Sequence, residues 1–218
     1  GKDLSEVVSH IKGEKGTEVN LTVYRGDDHE EVSVTAVRNT IQAQTVAYRM
    51  MEDGIGYIAV SEFDLVTYKQ YKQALEDLEG QGMKGLVVDL RNNPGGNLST
   101  VCEMLDLMLP EGLIVYTEDK DGNRDEERSD EAHQFNLPLA VLMNGNSASA
   151  SEIYAGAIQD YGTGVIVGTQ SYGKGVVQQI FDLKDGTSVK LTIAEYFTPK
   201  GRNIHGTGIT PDVEVEYE

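Results

Sequence analysis

One cysteine, Cys102, stands in a chain of 218 residues. A lone thiol excludes an intrachain disulfide and provides no thiolate cluster for a metal. The four histidines, His10, His29, His133 and His205, share no ligand spacing, so neither a structural metal nor a cofactor is expected. Basic side chains are also scarce. Eighteen Lys and Arg face 36 Asp and Glu, and the formal charge of −18 disfavours nucleic acid and anionic membrane surfaces as partners. Long apolar runs are missing too: none approaches the roughly 18 residues of a membrane span, and no basic segment followed by an apolar one opens the chain. The expectation is a cytosolic protein, or one separated from its targeting segment. There is no internal repeat. An apolar fraction of 39% suits a soluble globular protein with one substantial domain and a smaller piece.

What is there centres on residues 139–179. The short apolar runs Leu139 to Met143 and Gly164 to Gly168 suit buried strands. Between them Ile153, Ala157 and Ile158 give a helix one apolar face. That helix begins at three serines, Ser147, Ser149 and Ser151, where free backbone N–H groups and the positive end of the helix dipole would favour a serine nucleophile. The plainer alternative is a capping box, with Ser149 as cap and Glu152 reaching back to its N–H. Lys174 lies between Gly173 and Gly175, a setting that packing explains poorly. Free lysine is a weak base at neutral pH, but burial lowers its pKa, and serine with lysine is a working variant of the serine-histidine pair. The stretch GTQSYGKG comes one residue short of a phosphate-binding loop, because Gly175 stands where Ser or Thr would bind magnesium. It is followed by VVQQIF, a strand signal instead of a helix start.

Residues 1–38 predict a small module: Asp3 caps a helix carrying Leu4, Val7, Val8 and Ile11, Gly13 can end it, and a hairpin turned at Gly26 and Asp27 follows. Residues 39–53 form a connecting segment, with a brief alternation at Ile41 and Ala43. From Gly54 the main domain opens with the strand GIGYIAV, then a helix capped by Thr67 with Tyr68, Tyr71, Leu75 and Leu78 on one face. The strand from Leu86 to Leu90 breaks at NNPGG. Gly95 and Gly96, after a strand and before a helix, let backbone N–H groups approach a ligand oxygen, as an oxyanion hole requires; the plainer alternative is a connecting turn. Residues 118–134 are strongly charged and predict an exposed hairpin or loop. A hairpin turned at Asp185 and Gly186, a loop and a final strand close the chain.

DLRNNPGG, NSASASE, GKGVVQQ and GRNIHGTGITPDVEV, in this order and behind residues 1–38, closely resemble the C-terminal processing (tail-specific) serine peptidases. Residues 1–38 themselves resemble the second half of a PDZ domain, whose peptide-binding strand would precede Gly1. The resemblance implies an α/β fold with a curved, mostly parallel sheet and packed helices, behind a truncated PDZ-like module. It implies domains at 1–38 and 54–218, joined by 39–53. It assigns Ser149 as nucleophile and Lys174, twenty-five residues later, as general base. Gln178 would orient Lys174, and Ala150 with Gly95 or Gly96 would supply the oxyanion hole. A straight strand would put residues 174 and 178 about 13 Å apart at ~3.3 Å per residue, so contact with Gln178 requires a bend, which Gly175 permits. The implied partners are protein or peptide substrates with free C-termini, without metal or cofactor, and the implied location is outside the cytoplasm. A catalytically silent peptide-binding scaffold of the same fold is the alternative.

Overall fold

A computed structural model describes residues 3–26, 28–130 and 132–216. The chain divides into two compact units, Gly1–Ala43 and Gln44–Glu218. In the first, the Asp3 carboxylate accepts the Ser5 N–H at 2.8 Å and starts α1 (Leu4–Ile11). The helix stops two residues before Gly13, because Lys12 is already extended. Strands β1 (Glu18–Arg25) and β2 (Glu30–Val37) then pair antiparallel from Glu18 opposite Val37 to Arg25 opposite Glu30. Of the turn expected between them, Asp27 lies outside the described residues. Arg38 ties the unit together, its guanidinium donating to Ile11 O at 2.7 Å, to Thr17 Oγ1 at 2.9 Å and to Glu18 O at 2.9 Å. No described residue of this unit is buried, and Leu4 is 76% exposed.

The second unit is an α/β body. Its elements in order are β3 (Val46–Met50), β4 (Ile55–Val60), α2 (Thr67–Gly80), β5 (Gly85–Asp89), α3 (Leu98–Asp106), β6 (Gly112–Asp119), β7 (Arg124–Ser129), β8 (Leu139–Met143), α4 (Ala150–Tyr161), β9 (Val165–Gly168), β10 (Val176–Asp182), β11 (Ser188–Phe197) and β12 (Val213–Glu214). Six strands form one sheet in the order β12-β9-β8-β5-β4-β3. Every neighbouring pair in it is parallel except β3 with β4, so the sheet is mixed. The remaining four make a separate antiparallel sheet, β10-β11-β6-β7.

The buried strands read as near-continuous apolar runs, as central parallel strands must when both faces are covered. Ile58, Val88, Val141 and Ile166 are all completely buried. Helix α4 is buried nearly all round, which suits a helix without a charged face. Small residues let it approach its neighbours: a Cβ added at Gly156 would lie 2.8 Å from Thr198 Cγ2. Tyr71 of α2 and Tyr154 of α4, both fully buried, satisfy each other through a 2.9 Å hydroxyl contact. The α2 tyrosine is thus a core residue, as its helical spacing with Leu75 and Leu78 predicts.

Two local expectations fail, and the causes are tertiary. The brief alternation at Ile41 and Ala43 forms no strand, and Ile41 is 92% exposed. The strand comes later, at Val46, where Gln70 Oε1 of α2 accepts the N–H groups of Thr45 and Val46 at 3.0 and 3.2 Å. Thr67 does not cap α2 from outside; it is the first helical residue. Its buried hydroxyl accepts from Asp64 N at 2.9 Å and meets Thr45 Oγ1 at 2.7 Å. Two other expectations match the structure. The charged stretch is the β6–β7 hairpin, and VVQQIF begins β10, so no helix follows GTQSYGKG.

Candidate active site

Three turns meet at the carboxyl ends of β5 and β8, and their backbones are bonded together. After β5, Asn93 is completely buried. Its amide donates to Val60 O at 2.8 Å and accepts Gly95 N–H at 2.8 Å, which fixes the start of the Pro-Gly-Gly turn. After β8, the serine run docks against that turn. Ala148 N donates to Asn93 O at 3.0 Å, Ser151 Oγ donates to the same oxygen at 3.0 Å, and Ser147 Oγ donates to Leu90 O at 2.8 Å. Asn92 adds a second bridge, its side-chain oxygen accepting from Asn144 Nδ2 at 3.0 Å and Asn146 Nδ2 at 2.9 Å.

These bonds separate the three serines. Ser147 and Ser151 are each 1% exposed, and their hydroxyls hold the backbone of the neighbouring turn. Ser149 between them is half-buried and open to approach. Its backbone has φ 55° and ψ −115°, a region that residues with a Cβ rarely occupy, and it stands at the N-cap of the twelve-residue α4. A strained strand-to-helix turn of this kind lifts a serine hydroxyl clear of its surroundings and aims it away from the helix. The positive end of the helix dipole lies directly behind it.

Glu152 holds the strained turn. It is completely buried, and its Oε2 accepts Ser149 N–H at 2.8 Å, the Glu152 half of the expected capping box. The same Oε2 accepts Lys174 N–H at 2.8 Å, while Oε1 accepts Gly173 N–H at 2.6 Å and Ser171 Oγ at 2.5 Å. A carboxylate offers about four acceptor sites, and all are used. The backbones of Ser149 and Lys174 therefore hang on one oxygen. Sequence reasoning identified Glu152 as a capping residue but missed this second function, because the three donors from the lysine loop lie 19 to 22 positions away.

The lysine loop is pinned from its other side by residues 203–209. Gly206 N donates to Gly173 O at 2.9 Å, and Ile209 N donates to Ser171 Oγ at 2.7 Å. Contact is so close at Gly175 that a Cβ there would lie 2.4 Å from His205 N. His205 thus adjoins the loop through its backbone while its side chain is exposed. Lys174 is half-buried, and its amine makes no hydrogen bond to Ser149 or ion pair with a carboxylate among the described residues.

Gly95 and Gly96 have different tasks. A Cβ at Gly95 (φ 100°) would stand 2.8 Å from Ser149 Cβ and 2.9 Å from Ala150 N, so only glycine lets the two turns touch. Its N–H, however, is spent on Asn93. Gly96 (φ 146°) packs against Phe63, where a Cβ would meet the carbonyl oxygen at 2.2 Å. Among the described residues neither Gly96 N–H nor Ala150 N–H has a partner.

Gln178 is not brought to Lys174. Its side chain is exposed and makes no hydrogen bond among the described residues, because the chain has already entered β10 at Val176 and Gln178 pairs with Thr192 of β11. Gly175 instead lets the chain pass close against the backbone of His205. A bulge between Val177 and Gln178, opposite Ile193, is the one irregularity nearby. A separate cavity of about 440 Å³, lined by Asp89, Arg91, Asn92, Asn144 and others, includes neither Ser149 nor Lys174.

Residues 54–215 match the family model described as peptidase family S41. Over 217 residues the chain is 38% identical to a carboxyl-terminal-processing protease of Synechocystis, covering 98% of this chain and 51% of that one. It is 41% identical over 224 residues to a carboxy-terminal-processing protease of Bartonella bacilliformis, covering 99% and 51%. A probable CtpA-like serine protease of Staphylococcus epidermidis is 35% identical over 218 residues, covering 99% and 44%. Among solved structures, the photosystem II D1 C-terminal processing protease superposes with a TM-score of 0.75 at 31% identity, over 94% of this chain and 57% of that one. The chain spans about half the length of these relatives. The family model covers well over half of the chain and the relatives are similar to it along nearly its full length, so the chain belongs to peptidase family S41.

Proposed function

We propose that the chain carries the catalytic portion of a serine endopeptidase that cuts protein substrates near their C-termini through an acyl-enzyme on Ser149. The observation that carries this reading is the tether: an accessible serine on strained backbone at a helix N-terminus shares one carboxylate oxygen with the backbone of Lys174. Neutral Lys174 takes the proton from Ser149 Oγ as that oxygen attacks the scissile carbonyl carbon. The negative charge formed on the carbonyl oxygen faces the N–H groups of Ala150 and Gly96. Lys174 then passes its proton to the leaving amine, the C–N bond breaks, and an ester to Ser149 remains. Water repeats the sequence, giving its proton to Lys174, and collapse returns that proton to Ser149 with release of the new carboxyl end. The separation of the two side chains in the free chain is compatible with this, since catalytic hydrogen bonds often tighten only when substrate binds.

Gly95 supports the oxyanion site by close packing, and Gln178 joins Lys174 only if β10 shifts at its bulge. The names of the relatives support the C-terminal substrate class. On the same resemblance residues 1–38 are the second half of a PDZ-like module and 54–218 the peptidase core, the segment 39–53 between them contributing β3 to the core sheet, and the protein works outside the cytoplasm. The test is labelling with a serine-directed phosphonate, read by mass spectrometry. Labelling at Ser149, lost in Ser149→Ala and strongly slowed in Lys174→Ala, is expected. An unlabelled wild-type chain that still binds peptides would make it the silent scaffold instead.

A further inference from the structure

The antiparallel sheet has two edges, and the sequence treats them in opposite ways. Edge strand β7 begins with the charged run Arg124, Asp125, Glu126, Glu127 and Arg128, which blocks pairing with another strand. Edge strand β10 has no such protection. From Val176 to Phe181 it reads VVQQIF, with no charge, proline or glycine, and Ile180 is 63% exposed. A bare edge of six residues with strong strand preference is ordinarily an aggregation hazard.

The ladder fixes which backbone groups this edge presents. Leu183 N donates to Thr187 O at 2.7 Å, so residues 183 and 187 form a hydrogen-bonded pair. Pairing alternates along an antiparallel ladder, which makes Gln178 opposite Thr192 and Ile180 opposite Lys190 non-hydrogen-bonded pairs. Their N–H and C=O groups point away from β11. On the far side of the bulge Tyr196 N donates to Gly175 O at 2.8 Å, and by the same alternation Val176 also points outward. Among the described residues none of these outward groups has a backbone or side-chain partner. The open edge therefore starts two residues after Lys174 and runs away from it in steps of two.

We propose that this edge of β10 is the docking rail for the substrate: an extended, largely uncharged polypeptide segment adds to it as a further strand, pairing with the backbone of Val176, Gln178 and Ile180. The proposal rests on Ser149 and Lys174 being the catalytic pair. Strand addition uses main-chain bonds for affinity and accepts many sequences, which suits an enzyme that cuts protein substrates near their C-termini. It also explains why the edge beside the lysine is bare while the other edge of the same sheet is charged.

The test uses a peptide of about ten residues that the chain cleaves, resynthesised with a single N-methyl group at each backbone amide in turn. Expected is a loss of tenfold or more in kcat/KM at every second amide on one side of the scissile bond, with the intervening positions little affected. Tolerance at all positions, or losses without alternation, overturns the proposal. Ile180→Pro removes one outward N–H without touching the β10–β11 ladder, a substitution that edge strands accept. It should lower kcat/KM for the unmodified peptide tenfold while phosphonate labelling of Ser149 stays within twofold. Unchanged cleavage by this variant overturns the proposal, as does a wild-type dimer in sedimentation that Ile180→Pro abolishes, which would make the edge a self-association surface. Failure of the wild-type chain to label at Ser149 would instead remove the catalytic reading.

Discussion

At the scale of single residues, the site separates groups that act from groups that hold. Ser149→Ala and Lys174→Ala should each abolish measurable peptide cleavage while leaving thermal unfolding close to wild type, since neither side chain holds the core. Ser147→Ala and Ser151→Ala are expected to do the reverse. Each strips one of two hydrogen bonds from a buried carbonyl, costing about 0.5–1.5 kcal/mol of stability, with kcat/KM on a short peptide within a few fold of wild type. Glu152→Gln keeps the shape but turns an NH₂ toward N–H donors that now meet a carboxylate oxygen. We expect at least a hundredfold slower phosphonate labelling together with a lower melting temperature; labelling at the wild-type rate would mean that the tether is dispensable. Cys102 gives a simple control, because burial pushes its thiol up to about 12. Alkylation at pH 7.5 should therefore proceed only when the protein is unfolded.

At the scale of elements, the pair Asp89 and Arg91 at the end of β5 carries an acid-sensitive part of the stability. Burial alone would raise the Asp89 pKa, but it is outweighed by hydrogen bonds from Arg91 and from Tyr57, whose hydroxyl donates at 2.6 Å, so the value falls below the ordinary 3.8. A depressed carboxyl contributes stability in full above the unfolded value and loses it as pH falls through the folded one. Asp89→Asn should therefore be less stable than wild type at neutral pH, with the gap closing below about pH 3.8 in denaturant titrations.

Much at this scale was legible beforehand. Apolar runs of four or five residues between turn signals mark β8 and β9, the charged hairpin is where Asp121 and Gly122 put it, and the Gly-Gly turn sits against the serine run. What escaped was decided by partners distant in sequence. Strand β3 is placed by Gln70, Thr67 is drawn inward by Thr45, and Gln178 is held off by its pairing with β11. The resemblance named Ser149 and Lys174, but no spacing rule reveals that Glu152 serves both, because its lysine-loop donors come from a loop that follows another strand.

At the scale of the whole molecule, the two compact units meet in the chain near Ala43. Residues 39–45 hold no helix or strand, and Ile41 is almost fully exposed. Limited digestion with thermolysin should therefore cut first before Ile41 and leave a stable product corresponding to the second unit. The tether at Glu152 has a consequence for the life of such a chain. Its acceptor atoms belong to the first turn of α4, whereas three of its four donors arrive with a loop made after β9, so during synthesis or refolding the carboxylate is fully bonded only once the lysine loop has come into place. The serine turn and the lysine loop are thus joined in one step, at the docking of residues 171–174 on Glu152. A copy whose loop has not docked leaves a buried carboxylate with one donor of four, so an assembled site reports a completed fold.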